Sequence, residues 1–252
     1  MMISASLFSD ENFNEYFDNL DKSTIDMIHI DYFDSDDELK RLKVIEEKII
    51  NSSKKIDFHY IGKTINNEFI RYLNKLEVAY LSVQYEQLEN PIESIEKMSI
   101  FNGSIGLSFT IKSDFELIHK FINLINHIMI MSTEPGISGK SFNEKNFLRI
   151  KKIKLAYPKL NIFVDGGVNN SNYKLLNDLD VNTVIVGSYL AMSKNLNKTL
   201  LLLRINYNNS TNLRHLIIKR SVAPIVDESS SFSDLLLVMT KYKYGVAFVE
   251  DI

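Results

Sequence analysis

The chain has 252 residues, which suits one large domain or a domain with a short appendage. Hydrophobic residues make up 45% and charged residues 24%, so a packed core is expected rather than disorder, and a net charge of −3 gives no basic excess for a nucleic-acid partner. Cysteine is absent, which excludes disulfides, thiol nucleophiles and thiolate metal sites; no apolar run reaches the length of a membrane span, and the first residues, MMISASLFSDENF, lack the basic and long apolar regions of a signal peptide. A cytoplasmic protein with no membrane partner is the expectation.

Short β-type runs alternate with longer helical patterns. The predicted strands are ISASLF from Ile3, DMIHID from Asp26, KIDFHYI from Lys55, VAYLSV from Val78, SIGLSF from Ser104, HIMIMS from His127, NIFVDG from Asn161 and TVIVGS from Thr183. Each is short, apolar and rich in β-branched or aromatic residues, the pattern of strands covered on both faces. Between them, DELKRLKVIEEKII from Asp37, FELIHKFINLI from Phe115 and NEKNFLRIKKIKLAY from Asn143 carry apolar residues at intervals of three and four, a helical stripe. Residues 170–179 form a shorter helical candidate.

Eight strand–helix units in this length point to an α/β fold of the (β/α)8 TIM-barrel type over residues 1–203. The alternative, a doubly wound open sheet, would place a glycine-rich turn after the first strand, and none is present. After about Leu203 the pattern changes. RINYNNSTN reads as a linker, and residues 204–252 form a short α+β extension with strand, helix and strand signals. The VAPIVDE and GVAFVED runs weakly resemble one half of a CBS-type motif. A plain appendage, packed on the barrel or serving as a dimer interface, is the other reading.

Function in such a barrel sits at the C-terminal ends of the strands. His29 and Asp31 end the second strand, separated by one residue and therefore on one face; His59 ends the third and Asp165 the seventh. Two imidazoles and two carboxylates suit one divalent ion such as zinc, iron(II) or manganese. Gly166-Gly167 follows the seventh strand and Gly187-Ser188 follows the eighth and opens a helix. Amide-rich turns there suit a phosphate group, so a small phosphorylated ligand is expected.

Taken in order, these segments resemble the ribulose-phosphate 3-epimerase family from about Ile3 to Lys194. SASLFSD resembles the family's opening segment, IHIDYFD its H-[IV]-D-[IV]-M-D segment, and DFHYI its D-[VA]-H-L-M segment. MSTEPGISGKSF resembles its M-[TS]-V-[NE]-P-G-F-G-G-Q-x-F loop, and VDGGVN and VGSYL its last two signatures. The resemblance implies a barrel with a ribulose-phosphate-binding type of phosphate site and epimerisation at C3 of a phosphorylated ketose, D-ribulose 5-phosphate to D-xylulose 5-phosphate, in carbohydrate metabolism and the pentose phosphate pathway. It implies that Asp31 and Asp165 are the two acid/base carboxylates and that His29, Asp31, His59 and Asp165 hold the metal. It places substrate contacts at Ser6, His59, Met131, Gly136, Gly139, Gly166, Gly167, Gly187 and Ser188, and a homo-oligomer is expected.

The chain departs from the family pattern in places. Phe33 and Ile61 stand where methionines would be, Gln84 where a histidine is common, and Ser138 and Lys140 where the loop has glycine and glutamine. The longer loop expected after Asp34 is replaced by SDDELKRLK. A hexulose 6-phosphate such as allulose 6-phosphate, or a barrel that binds a phosphorylated sugar without turnover, are the alternative readings. An orotidine-phosphate decarboxylase relative would need a lysine in the stretch from His29 to Asp34, which has none.

Overall fold

The structure, a computed structural model, describes residues 1–7, 12–114, 116–136, 139–205, 225–227, 229–242 and 248–250. It divides into two compact units, Met1–Asn206 and Tyr207–Ile252. In the first, eight parallel strands close into a barrel: β1 (Met2–Ser6), β2 (Met27–Phe33), β3 (Lys55–Ile61), β4 (Tyr80–Gln84), β5 (Ser104–Phe109), β6 (His127–Met131), β7 (Asn161–Asp165) and β8 (Thr183–Val186). Strand β8 pairs with β1, Ile3 opposite Val184 and Ala5 opposite Val186, which closes the ring. All eight strands predicted from the apolar runs are present.

The helices are α1 (Phe13–Asp21), α2 (Asp36–Val44), α3 (Glu46–Asn51), α4 (Asn67–Lys75), α5 (Pro91–Met98), α6 (Glu116–Phe121), α7 (Lys145–Ala156), α8 (Tyr173–Asp178), α9 (Ser188–Ala191) and α10 (Leu196–Arg204). The single stripe expected after the second strand is two helices. The chain leaves helical geometry at Ile45 (φ −104°, ψ 7°), whose side chain is buried. Among the described residues no helix is long and apolar enough to cross a membrane.

In the second unit β9 (Ile225–Asp227) and β10 (Phe248–Glu250) pair in parallel, with α11 (Phe232–Tyr242) between them in sequence. Much of the CBS-like pattern, including Val222–Pro224 and Gly245–Ala247, lies outside the described residues.

Period-two alternation sorts each barrel strand into two faces. Ile28, Ile30, Ile56, Phe58, Leu81, Val83, Leu107, Ile128, Ile162, Val164 and Val184 belong to one large buried apolar cluster that the helices cover. Met27, Met129, Met131, Phe163 and Ile185 form a second, separate cluster, from the alternate positions that face the barrel axis. Much of the rest of that interior is polar: Ser4, His29, Asp57, His59, Ser82, Gln84, Ser108 and His127 are all fully buried.

His127 shows how a polar group is held there. Its ring stacks on Phe163 at 4.6 Å between centroids, its Nε2 lies 2.8 Å from Ser82 Oγ and its Nδ1 3.0 Å from Ser104 Oγ. Strand β5 passes close enough that a Cβ on Gly106 would strike the imidazole. Burial pushes the His127 pKa down to about 4, against a smaller upward pull from Asp57.

The unfolded chain therefore binds the extra proton more readily. Stability from this residue is present above pH 6.5 and is lost as pH falls toward 4. The full effect is about 3 kcal/mol, of which about 2 kcal/mol disappears between pH 7 and pH 5. Urea unfolding at those two pH values should show that loss in the parent protein. The His127→Asn variant should lack most of it; an equal acid loss in both would assign the loss to other groups.

Candidate active site and metal group

At the C-terminal ends of the strands, β2 delivers His29 and Asp31 two residues apart on one face, β3 delivers His59 and β7 delivers Asp165. One ligand-type atom from each of these four residues lies within 4.8 Å of the others, so the group can hold a metal ion. His29 and His59 are fully buried, while the Asp31 side chain is 28% exposed and opens upward.

The outer edges of the two imidazoles decide what their inner edges offer. His29 Nδ1 lies 2.8 Å from Asp57 Oδ2. A carboxylate can only accept, so Nδ1 carries a proton, while Nε2, 3.3 Å from Asp31 Oδ1, donates to that carboxylate when the ring is protonated and would turn a lone pair to a metal ion bound there. His59 Nε2 lies 2.9 Å from Gln84 Oε1, and the Gln84 amide nitrogen is oriented by Glu86, 2.5 Å away. Nε2 of His59 is thus a donor, and its Nδ1 lies 3.0 Å from the same Asp31 oxygen, on the edge that would face a bound metal ion.

Two imidazole nitrogens converging on one carboxylate oxygen need positive charge among them, which ring protons or a bound cation can supply. The outer partners are those that fix ligating histidines in metal sites. The donor set therefore fits a divalent ion on the structure's own terms.

With the protein's own charges alone, burial opposes charge on His29, but Asp57 and Asp31 outweigh it and raise the pKa well above the usual histidine value. Burial likewise opposes ionisation of Asp31, yet His29 and His59 overcome it and hold the carboxyl well below the usual range. Asp165 goes the other way: burial first, then the negative charge of Asp31, push it up to about 6. Two neighbouring carboxyls with their affinities for protons pushed apart are a usable acid/base pair.

Above the group lies a cleft of about 170 Å³. Ser6, Gly136, Gly139, Gly166, Gly167, Gly187 and Ser188 line it together with Asp31 and Asp165. The Gly166-Gly167 turn has positive φ at both residues (98° and 69°), and the chain after β6 packs directly on it. A Cβ at Gly166 would strike Thr133, and one at Gly167 the backbone of Ser141 and Phe142. The ring of Phe33 packs on Gly136 in the same way.

His59 and Met131 are buried among the residues beneath the cleft and are absent from its described walls. Lys140 is exposed and likewise absent from them. Ile137 and Ser138 of this loop, like Phe8 and Ser9 of the opening segment, lie outside the described residues.

Sequence reasoning missed four contributors. Asp57 was two residues before His59 on the same strand face, which is the signal that identifies it. Ser4, which donates to Asp57 Oδ2 at 3.0 Å, sits two before Ser6 in the same way. Glu38 and Arg41 also line the cleft and lay within a charged helical stretch with nothing to distinguish them.

Comparison with known proteins adds three findings. A sequence model described as the ribulose-phosphate 3 epimerase family matches residues 2–191. The ribulose-phosphate 3-epimerase of Buchnera aphidicola is 29% identical over 216 residues, covering 79% of this chain and 92% of that protein. That of Schizosaccharomyces pombe is 27% identical over 121 residues, and the match spans only about half of each protein, 47% of this chain and 53% of that one.

Among solved structures, KGPDC from Streptococcus mutans superposes with a TM-score of 0.59 at 13% identity, covering 81% of this chain and 96% of that one. The 3-hexulose-6-phosphate synthase from Salmonella typhimurium gives 0.61 at 17% identity, covering 82% and 100%. At such identities these two likenesses concern the barrel fold alone.

Proposed function

Because the chain belongs to the ribulose-phosphate 3-epimerase family, we propose that it epimerises C3 of a phosphorylated ketose, D-ribulose 5-phosphate to D-xylulose 5-phosphate. In this reading residues 1–203 carry the reaction and residues 204–252 are an appended unit. The observation that carries it is the placement of Asp31 and Asp165. They come from strands three apart around the ring, share one four-residue group with two histidines, and both face a glycine-walled cleft.

Inversion at carbon needs a base on one face and an acid on the other. Asp31, held ionised by His29 and His59, takes the C3 proton. The C3–H bonding pair moves into an enediolate. Asp165, whose hold on a proton burial and the charge of Asp31 strengthen, delivers one to the opposite face and closes the new C3–H bond. The reverse reaction exchanges the two roles. His29, Asp31, His59 and Asp165 would hold a divalent ion, with zinc, iron(II) and manganese as the candidates for this donor set, and it would supply Lewis-acid stabilisation of the charge that develops on the substrate oxygens. Asp57 and Gln84 keep the two imidazoles turned inward throughout. The turns at Gly166-Gly167 and Gly187-Ser188 seat the phosphate, and Ser6 contacts the sugar between them.

The test is a reaction in deuterated water with the metal-loaded protein and D-ribulose 5-phosphate, followed at C3 by proton NMR. Deuterium uptake at C3 with appearance of D-xylulose 5-phosphate is the expected result. Uptake only with a hexulose 6-phosphate would move the substrate to the longer sugar. Neither uptake nor product from folded, metal-bound protein would overturn the reaction.

A further inference from the structure

We propose that Arg41, on the first helix after β2, is a substrate-binding residue that recognises the anionic phosphate ester from the α2 wall of the cleft; this rests on the cleft being a phosphosugar site. Helix α2 starts three residues after β2 ends, with the Ser35 side chain accepting from the Glu38 amide at 3.3 Å as its cap. A helix wall therefore stands where a loop would otherwise cover the cleft. Leu42 anchors that helix in the core, and the helical spacing then turns Glu38 and Arg41 onto the cleft.

The charges on the cleft wall leave one role open. Among the described residues lining it, Asp31, Glu38, Glu134 and Asp165 are acidic and Arg41 is the one cation. Glu134 is neutralised by Lys112 at 2.7 Å. With Asp31 and Asp165 committed to the metal group, Glu38 is the remaining acidic residue a phosphate dianion meets on this wall, and Arg41 is the full positive charge beside it that backbone amides do not supply.

Arg41 is already in position to act. Glu38 accepts from its Nη1 at 2.8 Å, both side chains are only about one-fifth exposed (22% and 21%), and the guanidinium lies 5.7 Å from the Phe13 ring centroid. Glu38 uses one N–H of a planar five-donor fork and leaves others for an oxyanion. The Glu38 carboxyl is itself pushed up, by burial above all, against the pull of Arg41.

The two residues then have opposite effects on binding. Arg41→Gln should weaken D-ribulose 5-phosphate about 10- to 100-fold with kcat little changed, the loss of a charge-assisted fork on a phosphate. Arg41→Lys should recover part of that loss. Glu38→Gln removes a competing acceptor and a negative charge, so it should bind the sugar phosphate as well as the parent protein or a few-fold tighter.

The experiment is calorimetric titration of the full metal-loaded chain and the three variants with D-ribulose 5-phosphate and with inorganic phosphate. Thermal melting of each variant checks folding. Unchanged affinity in Arg41→Gln overturns the proposal. Equal weakening in Arg41→Gln and Glu38→Gln also overturns it, because the pair would then be serving only to hold the helix. If the parent binds the sugar phosphate without epimerising it and Arg41→Gln weakens that binding, the inference stands although the proposed reaction fails. If the parent binds neither ligand, both fall.

Discussion

Asp31→Asn lowers epimerisation by about 10³-fold or more, at the upper end of what loss of a positioned acid/base costs. In the proposed mechanism the variant loses the group that takes the C3 proton. It also loses the negative charge on which both imidazoles converge, His29 at 3.3 Å and His59 at 3.0 Å. Asp165→Asn is expected to lower net epimerisation by about 10²- to 10⁴-fold but to leave a different residue of activity. With Asp31 intact, the C3 proton of one epimer should still exchange with deuterated water while the other epimer fails to form. Proton NMR of the recovered substrate separates these outcomes. Retention of a tenth of the parent rate by both variants would remove the two-carboxylate mechanism.

Asp57→Asn should lower metal affinity about 10- to 100-fold, as loss of a carboxylate behind a ligating histidine does elsewhere. Asp57 is fully buried. Its Oδ2 accepts from His29 Nδ1 and from Ser4 Oγ, and its Oδ1 has no hydrogen-bond partner among the described residues. An amide in its place keeps the shape but loses the charge that selects the Nδ1–H tautomer and raises the basicity of Nε2. Gln84→Leu applies the same reasoning to His59 and should be the milder change, because it removes a neutral acceptor. Competition against a chromophoric chelator reads both. Unchanged affinity alongside reduced turnover would show that Asp57 acts on the carbon chemistry and not through the ligand it orients.

The barrel was legible because buried parallel strands write themselves as short apolar runs, and all eight are where those runs lie. The four metal-ligand-type residues were legible because chemistry-bearing side chains ended those runs. What stayed hidden follows from the same geometry. A polar residue at an inward position, such as Ser82 or Asp57, looks in sequence like an interruption of an apolar strand. Only closure of the ring shows that it faces a partner on another strand. The break at Ile45 was hidden because an isoleucine fits a helical stripe whether or not its backbone is helical. Arg41 was hidden because DDELKRLK reads as a solvated charged face, and only the early start of α2 turns that face toward the cleft. Much of the tail pattern falls outside the described residues.

The contact between Gly106 and His127 has an evolutionary consequence. A side chain at 106 and an imidazole at 127 exclude each other, and Ser82 and Ser104 are matched to the ring that is there. Among descendants of a common barrel the two positions should therefore covary. Glycine at 106 should accompany a flat, hydrogen-bonding residue at 127, and alanine or larger at 106 should accompany a smaller residue at 127. A lineage passing between the two states through single substitutions meets a destabilised intermediate whichever position changes first. Such a step is the kind that confines sequence drift in a barrel floor while the cleft above it stays free to diversify.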